Sequence, residues 1–162
     1  MSNEHFDCEA ILETIRNDID PVKRYETVLI LEDRTCDGAD VVLQDAILHD
    51  PDYRVRMNSV TVLAATTEQE AVPHLITALD KDPDAQVREV SAYALGKFAD
   101  ESSLNVLGRA LLTDVDPDVR ERCVEAISKI NDSRVRDMLT RAAQTELDPG
   151  VQYYIQQALA GR

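Results

Sequence analysis

The sequence predicts an all-α protein, a right-handed α-solenoid of about five helix pairs with a period of about 32 residues. Three observations predict this fold class. A Val-Arg pair recurs along the chain, two rows of apolar residues keep the same 32-residue step, and the apolar spacing inside each unit is helical. A repeat of 20 to 50 residues is typical of stacked supersecondary units that bury their apolar faces against one another.

The repeat is visible as three rows of residues in one register. The Val-Arg row is Val55-Arg56, Val87-Arg88 and Val119-Arg120, preceded at a spacing of 33 by Val22-Lys23 and followed at 32 by Val151-Gln152. The apolar rows are Ile11, Leu43, Leu75, Leu107 and Leu139, and Ile15, Ile47, Leu79, Leu111 and Ala143. The first and last units deviate most, with Lys23 and Gln152 in place of Arg, as expected of end units that face water.

Each unit is interpreted as two helices. Val72, Leu75, Ile76 and Leu79 follow the i, i+3, i+4, i+7 spacing of one helix face. Gly96 near the end of a second helix indicates either close packing or a helix terminus. The predicted pairs are 4–18 with 21–33, 38–48 with 52–66, 68–80 with 84–98, 101–113 with 117–130, and 133–145 with 149–160. They form a single domain, 1–162, with units at about 1–34, 35–67, 68–99, 100–131 and 132–162.

Asp-Pro dipeptides separate the two helices of each unit. Asp favours the N-cap, where its carboxylate accepts backbone N–H groups, and Pro favours the first helical turn, where no N–H is needed. The sequence therefore predicts that these dipeptides start the second helices. They are Asp20-Pro21, Asp50-Pro51, Asp82-Pro83, Asp116-Pro117 and Asp148-Pro149.

Composition excludes several classes of function. With 31 acidic and 17 basic residues the net charge is −14, which disfavours binding to nucleic-acid phosphates. The charge-free stretches are too short to span a bilayer, and Met1 to Glu13 do not read as a signal peptide, so a cytoplasmic protein that binds no membrane is expected. Cys8, Cys36 and Cys123 are an odd, scattered set, for which neither a disulfide framework nor a Cys-rich zinc site is expected.

The string from Asp82 to Gly96, DPDAQVREVSAYALG, resembles a HEAT-like repeat of the type found in phycobilin lyases. The segment 114–127 is similar, and the resemblance covers essentially the whole chain. It implies the fold but says little about activity, because this repeat is a scaffold for many functions. It also implies structural ladders between repeats, formed by Asp82, Arg88, Asp114 and Arg120.

Motifs for chemistry are sparse in the sequence. The resembled family includes a di-iron hydroxylase that uses His-Glu dipeptides, whereas Glu follows none of His5, His49 and His74. The Asp-x-Asp-x-Asp runs at 80–84 and 114–118 start like a calcium loop, but in the first run the required Gly and Glu are missing. The acidic charge and the lack of Trp argue against the DNA-repair activity known for some HEAT-like folds. No catalytic residue, metal or cofactor is predicted.

The second helices offer a candidate binding surface on the concave side of the solenoid. With the Val of each Val-Arg pair inward, the opposite positions collect tyrosines, Met and Arg, which are residue types enriched at interfaces. The predicted partner-binding residues are Tyr25, Val28, Met57, Asn58, Thr61, Val90, Tyr93, Arg122, Tyr153 and Tyr154. Packing of these side chains on one another is the structural alternative.

These observations favour a non-enzymatic scaffold or adaptor, a monomer or weak oligomer, that binds another protein on its concave face. The alternative is an accessory or chaperone-like subunit for a cofactor-bearing protein, similar to bilin lyases or metallocofactor assembly proteins. A third class, a metal-dependent enzyme, requires a bound ion for which the sequence offers no complete ligand set.

Overall fold

The computed structural model describes residues 7–66 and 69–161 of the chain. Its helices are α1 Cys8–Asn17, α2 Pro21–Ile30, α3 Ala39–His49, α4 Tyr53–Thr66, α5 Val72–Lys81, α6 Ala85–Phe98, α7 Leu104–Thr113, α8 Pro117–Lys129, α9 Arg134–Thr145 and α10 Pro149–Ala160. Neither described range contains a strand, which confirms the all-α prediction. His5 and the predicted start of the first helix at residue 4 lie outside these ranges.

A three-residue turn connects the two helices of every pair. It consists of an acidic residue, one intervening residue and an Asp. The first acidic residue ends the first helix as its C-cap, and its side chain accepts the backbone N–H of the Asp two positions later. That Asp then accepts an N–H group from the first turn of the following helix. The C-cap residues are Asp18, Asp50, Asp82, Asp114 and Glu146, and the partner residues are Asp20, Asp52, Asp84, Asp116 and Asp148.

The predicted role of two Asp-Pro dipeptides was therefore wrong. Asp50 and Asp82 are C-caps of α3 and α5, with their backbone N–H groups bonded to Ala46 O and Ala78 O. Their prolines occupy the turn and do not start a helix. Pro is tolerated both in this turn and in the first turn of a helix, because neither position needs a backbone N–H donor.

The chain divides into two compact units, Met1–Thr67 and Glu68–Arg162. In the first unit, α1 lies beside α3 and α2 beside α4, and each pair packs across these two rows. In the second unit, α5, α7 and α9 form one row and α6, α8 and α10 form the other. Each interior helix is thus covered by its neighbours in the row and by its own partner. That the whole chain is a single domain remains a prediction.

The predicted apolar rows form the core of each unit. Leu43 and Ile47 of the first unit are 1% exposed, and Leu75 and Leu107 of the second are fully buried. The end members Ile11 and Ala143 are only half-buried. Burial of a Leu or Ile side chain contributes about 1.5–3 kcal/mol, so these rows are a main source of stability.

The first unit corrects the register of the Val-Arg row. Arg24, not Lys23, occupies the position equivalent to Arg88 and Arg120, because it forms the same carboxylate pair and bonds the same C-cap carbonyl. The spacing is then 32 from the first repeat onward. Val22, which was aligned with the inward valines, is 37% exposed.

Cys8 and Cys36 are joined by a disulfide, contrary to the expectation from their spacing. Their separation of 28 residues gives no local signal, because only the packing of α1 beside the connection between α2 and α3 brings them together. Cys123 is free and buried in α8. Across the described ranges, every helix is too short or too polar to cross a bilayer.

Candidate functional site

In the second unit, arginine–carboxylate pairs link successive repeats. Arg88 donates two hydrogen bonds to the Asp114 carboxylate, at 2.7 and 2.9 Å, and a third at 3.0 Å to the carbonyl of Asp82. Arg120 donates in the same way to Glu146, at 2.7 and 2.9 Å, and to the Asp114 carbonyl at 2.9 Å. Each guanidinium thereby closes its own turn and holds the next one, which is a structural task.

The four side chains in these pairs are largely buried and ionised. Burial acts to raise the pKa of Asp114, but the hydrogen bonds from Arg88 and from the Asp116 backbone, together with the charges of Arg88 and Arg120, hold that pKa below its usual value. The hydrogen bonds from Arg120 likewise lower the pKa of Glu146. Bidentate arginine–carboxylate pairs combine charge with fixed geometry, so they set the stacking of one repeat on the next.

In the first unit, Arg24 makes the corresponding contacts. It donates to both Asp50 oxygens at 2.8 Å and to the Asp18 carbonyl at 2.7 Å. Arg56 is 9% exposed and donates to the Asp50 carbonyl at 2.9 Å. These two guanidinium groups thus link the turns of the first unit.

The exposed side of α6, α8 and α10, here called the second-row face, is centred on Tyr93. Its side chain is 49% exposed, and the cations of Arg122 and Lys129 lie 5.6 and 5.7 Å from the ring centroid. Arg122 is held in turn by Glu89 at 3.0 Å and Glu125 at 2.6 Å. The network fixes the Tyr93 ring while leaving half of its surface uncovered.

The α10 part of the second-row face carries two further tyrosines. Tyr153 is 60% exposed, and its ring meets that of Tyr154 edge to face at 5.6 Å. The negative charge of Glu121 and a hydrogen bond to it raise the pKa of Tyr154. A groove of about 430 Å³ runs between α8 and α10. It is lined by Val124, Glu125, Ser128, Lys129, Tyr154, Gln157 and Ala158.

The first unit places its candidate residues on α2 and α4. Tyr25 is half-buried beneath Arg54, whose Cζ lies 5.1 Å from the ring centroid. Hydrogen bonds from Arg54 lower the pKa of Asp52 to about 2. Two more candidates, Met57 and Asn58, are half-buried, and the exposed Thr61 donates its hydroxyl to the Met57 carbonyl.

Val28 was wrongly assigned to the binding surface. Its side chain is fully buried, as are those at the equivalent positions, Val60 and Ala92. The error follows from the register of the first repeat, since aligning Val22 with Val55 moves every later residue of α2 by one position. Leu29, 39% exposed, occupies the surface position instead.

Sequence reasoning also missed residues that organise these surfaces. Arg54 and Glu121 belong to no recognisable sequence pattern, because each acts on a tyrosine of another helix. Arg54 lies over Tyr25, and Glu121 accepts a hydrogen bond from Tyr154. Glu146 could have been found, since it follows Asp82 and Asp114 at the 32-residue step. Val90, which is in α6 like Tyr93, is half-buried and stays among the candidate partner-binding residues.

The residues in the described ranges offer no ready metal centre. Within 7–66 and 69–161, His, Cys, Asp and Glu side chains nowhere gather in a group of three or more that could hold an ion. The acidic turns are occupied by capping bonds and arginine pairs, as described above.

Comparison with known proteins identifies the family. The HEAT repeats family matches residues 8–96 and 72–160, and the chain therefore belongs to the HEAT repeat family. A solved structure, the complex of CpcE and CpcF of phycocyanin lyase from Nostoc sp. PCC7120, is similar with a TM-score of 0.68 and 17% identity. The match covers 93% of this chain and 96% of that chain. No curated protein matches significantly.

These similarities confirm the predicted fold class and the resemblance to the phycobilin-lyase type of HEAT-like repeat. At 17% identity the structural likeness shows the fold alone. Together with the family match, this likeness shows that the chain is built of HEAT repeats.

Proposed function

We propose that this protein is a non-enzymatic scaffold that binds a partner protein through the second-row face. The observation that supports this most is Tyr93, half-exposed yet fixed between Arg122 and Lys129. A tyrosine held in place before binding loses little conformational entropy on binding, which favours affinity. The groove beside it, between α8 and α10, gives a partner side chain a place to enter.

Charge supports a protein partner. The second-row face alternates acidic and basic groups around its tyrosines, a mixture that suits a polar rim around a small aromatic centre. A nucleic-acid surface would instead need a predominantly basic face. We also propose that the protein works without a cofactor and in the cytoplasm.

The experiment is capture of partners from native lysate by the full chain and by Tyr93→Ala, followed by quantitative mass spectrometry. A partner that uses the second-row face should fall at least tenfold with Tyr93→Ala, since buried interface tyrosines contribute about 2 kcal/mol or more. The melting temperature should move by less than about 2 °C, because the residue is at the surface.

Leu112→Ala is the matched control. Leu112 is 41% exposed but belongs to α7 in the other row of the second unit. This variant should retain every partner that the wild type captures. Equal loss with both variants, or a large drop in melting temperature with Tyr93→Ala, would contradict the proposal.

An accessory subunit for a cofactor-bearing protein is the second candidate. It is favoured by the likeness to the complex of CpcE and CpcF of phycocyanin lyase, two chains whose structure was solved together. The captured partner distinguishes the two functions. A partner that carries a covalent chromophore or a metallocofactor supports the accessory role, and a partner without either supports the general scaffold.

A further inference from the structure

The Cys8–Cys36 disulfide joins the first residue of α1 to the connection between α2 and α3. Helix α1 buries only Leu12 and Ile15 within the first unit, so few apolar contacts hold it. Among the described residues, its amino-terminal turn is attached through the Asp7 cap and the disulfide. Opening the bond therefore loosens the amino-terminal turn of α1.

The disulfide is reachable from solvent through a crevice. Cys8 is half-buried and Cys36 is 9% exposed, so Cys8 is the more accessible sulfur. The crevice has a volume of about 540 Å³, large enough for a small thiol. Cys123 differs, since it is fully buried and burial raises the pKa of its thiol.

Acidic side chains dominate the lining of this crevice. Of the described residues, Glu9, Glu13 and Asp37 line it together with Arg16. The reagent that attacks a disulfide is a thiolate, which is itself an anion. Repulsion by the carboxylates disfavours a thiolate with a second negative charge, whereas an ammonium group on the reagent offsets it.

We propose that Cys8–Cys36 is a thiol–disulfide exchange site that selects low-molecular-weight thiols bearing an ammonium group, and that its opening frees the start of α1. The reagent thiolate bonds to Cys8 Sγ, and the electron pair of the broken bond leaves on Cys36 Sγ, which takes a proton from water. A second thiolate bonds to the reagent sulfur and breaks its bond to Cys8 Sγ, which leaves with the electron pair and takes a proton from water. Two reagent thiols are oxidised to their disulfide as two cysteines are reduced.

The test measures how fast the full, oxidised chain gains maleimide-reactive thiols at Cys8 and Cys36. The reagents are cysteamine, 2-mercaptoethanol and 3-mercaptopropionate at equal thiolate concentration. Each rate is divided by the rate of the same reagent on the urea-unfolded chain, which cancels intrinsic nucleophilicity. Cysteamine should exceed 3-mercaptopropionate by about fourfold at low ionic strength, and the ratio should approach one in concentrated salt.

Charge variants separate local selection from the overall negative charge. The double variant Glu9→Gln with Glu13→Gln should lower the cysteamine preference to less than about twofold. Glu26→Gln, an exposed change on α2 outside the crevice, should leave it unchanged. Equal normalised rates for all three reagents in the wild type would overturn the proposed selection. It would also be overturned if Glu26→Gln changed the cysteamine preference as much as the double variant does.

Hydrogen exchange tests the release of α1. After reduction, amides in the first turns of α1 should exchange at least tenfold faster, while those of α8 in the second unit keep their rates. Unchanged α1 exchange would overturn the release, and failure of Cys8 and Cys36 to form a disulfide in the oxidised chain would overturn the whole proposal. Neither outcome depends on partner binding at the second-row face.

Discussion

Gly96 offers the sharpest test of how the repeats pack. A Cβ added at Gly96 in α6 would lie 2.8 Å from the Cα and 2.9 Å from the Cβ of Ala126 in α8. The first of these atoms is backbone, so relief requires the helices to separate. Gly108 in α7 is the matched control, because a Cβ there meets the flexible end of Met138, with Cε at 3.1 Å.

The expected magnitudes follow from two opposing effects. Replacing Gly by Ala within a helix stabilises it by about 1 kcal/mol. Overpacking costs about 1–3 kcal/mol, and contact with backbone places Gly96→Ala near the upper end. The free energy of unfolding should therefore fall by about 2 kcal/mol for Gly96→Ala. For Gly108→Ala it should stay equal or rise by up to about 1 kcal/mol, because a methionine side chain can move aside.

Thermal and urea unfolding followed by far-UV circular dichroism measure both variants. A loss of about 2 kcal/mol lowers the melting temperature of a chain of this length by about 4–8 °C. Gly96→Ala as stable as the wild type would refute the close approach of α6 to α8. A comparable loss of stability in Gly108→Ala would show that a clash with a flexible side chain costs as much as a clash with backbone, which would contradict the reasoning.

Two further predictions concern buried ionisable groups. Arg120→Gln leaves Glu146, 6% exposed, without its guanidinium and should cost about 3 kcal/mol of unfolding free energy at neutral pH. Because Arg120 lowers the folded-state pKa of Glu146, its stabilisation exists above the unfolded pKa of about 4.3 and is lost as pH falls through the folded value. Urea midpoints from neutral to acidic pH should thus decline less in Arg120→Gln than in the wild type, and parallel curves would argue against this pair. In the native protein, Cys123 should resist iodoacetamide at mildly alkaline pH, because the side chain is buried and burial raises the pKa of its thiol. Cys123 should react once urea unfolds the chain. Rapid labelling of the native protein would show that α8 opens.

The helix pairs could be predicted because their signals are local or periodic. Rows such as Leu75 and Leu107 repeat at 32 residues since each unit buries the same face against its neighbours. Close packing was one of the two roles predicted for Gly96, and the close approach to Ala126 supports it. The roles of Asp50 and Asp82 were misread, because an Asp before Pro fits both the end of one helix and the start of the next, and hydrogen bonding decides between them.

Surface assignments were less predictable, because a one-residue register error turns a helical side chain by about 100° and can exchange a surface position for a core one. Val28 illustrates this, since an apolar side chain there fits either the core or a binding surface. Only the pairing of Arg24 with Asp50 fixes the register that places Val28 in the core. The setting of Tyr93 could not be read from sequence either. Arg122 and Lys129 reach it from the neighbouring helix, and nothing in the spacing indicates which cation will lie over the ring.

By itself, then, the sequence determined the class of fold, the helix pairs and the apolar rows of the core, because repetition places the same physical demand on each unit. Tertiary structure alone decided the contacts between distant residues. It buried Val28, set the cations on Tyr93, and joined Cys8 to Cys36. These outcomes depend on which helices lie side by side, and that arrangement is fixed by packing of whole faces rather than by any local run of residues.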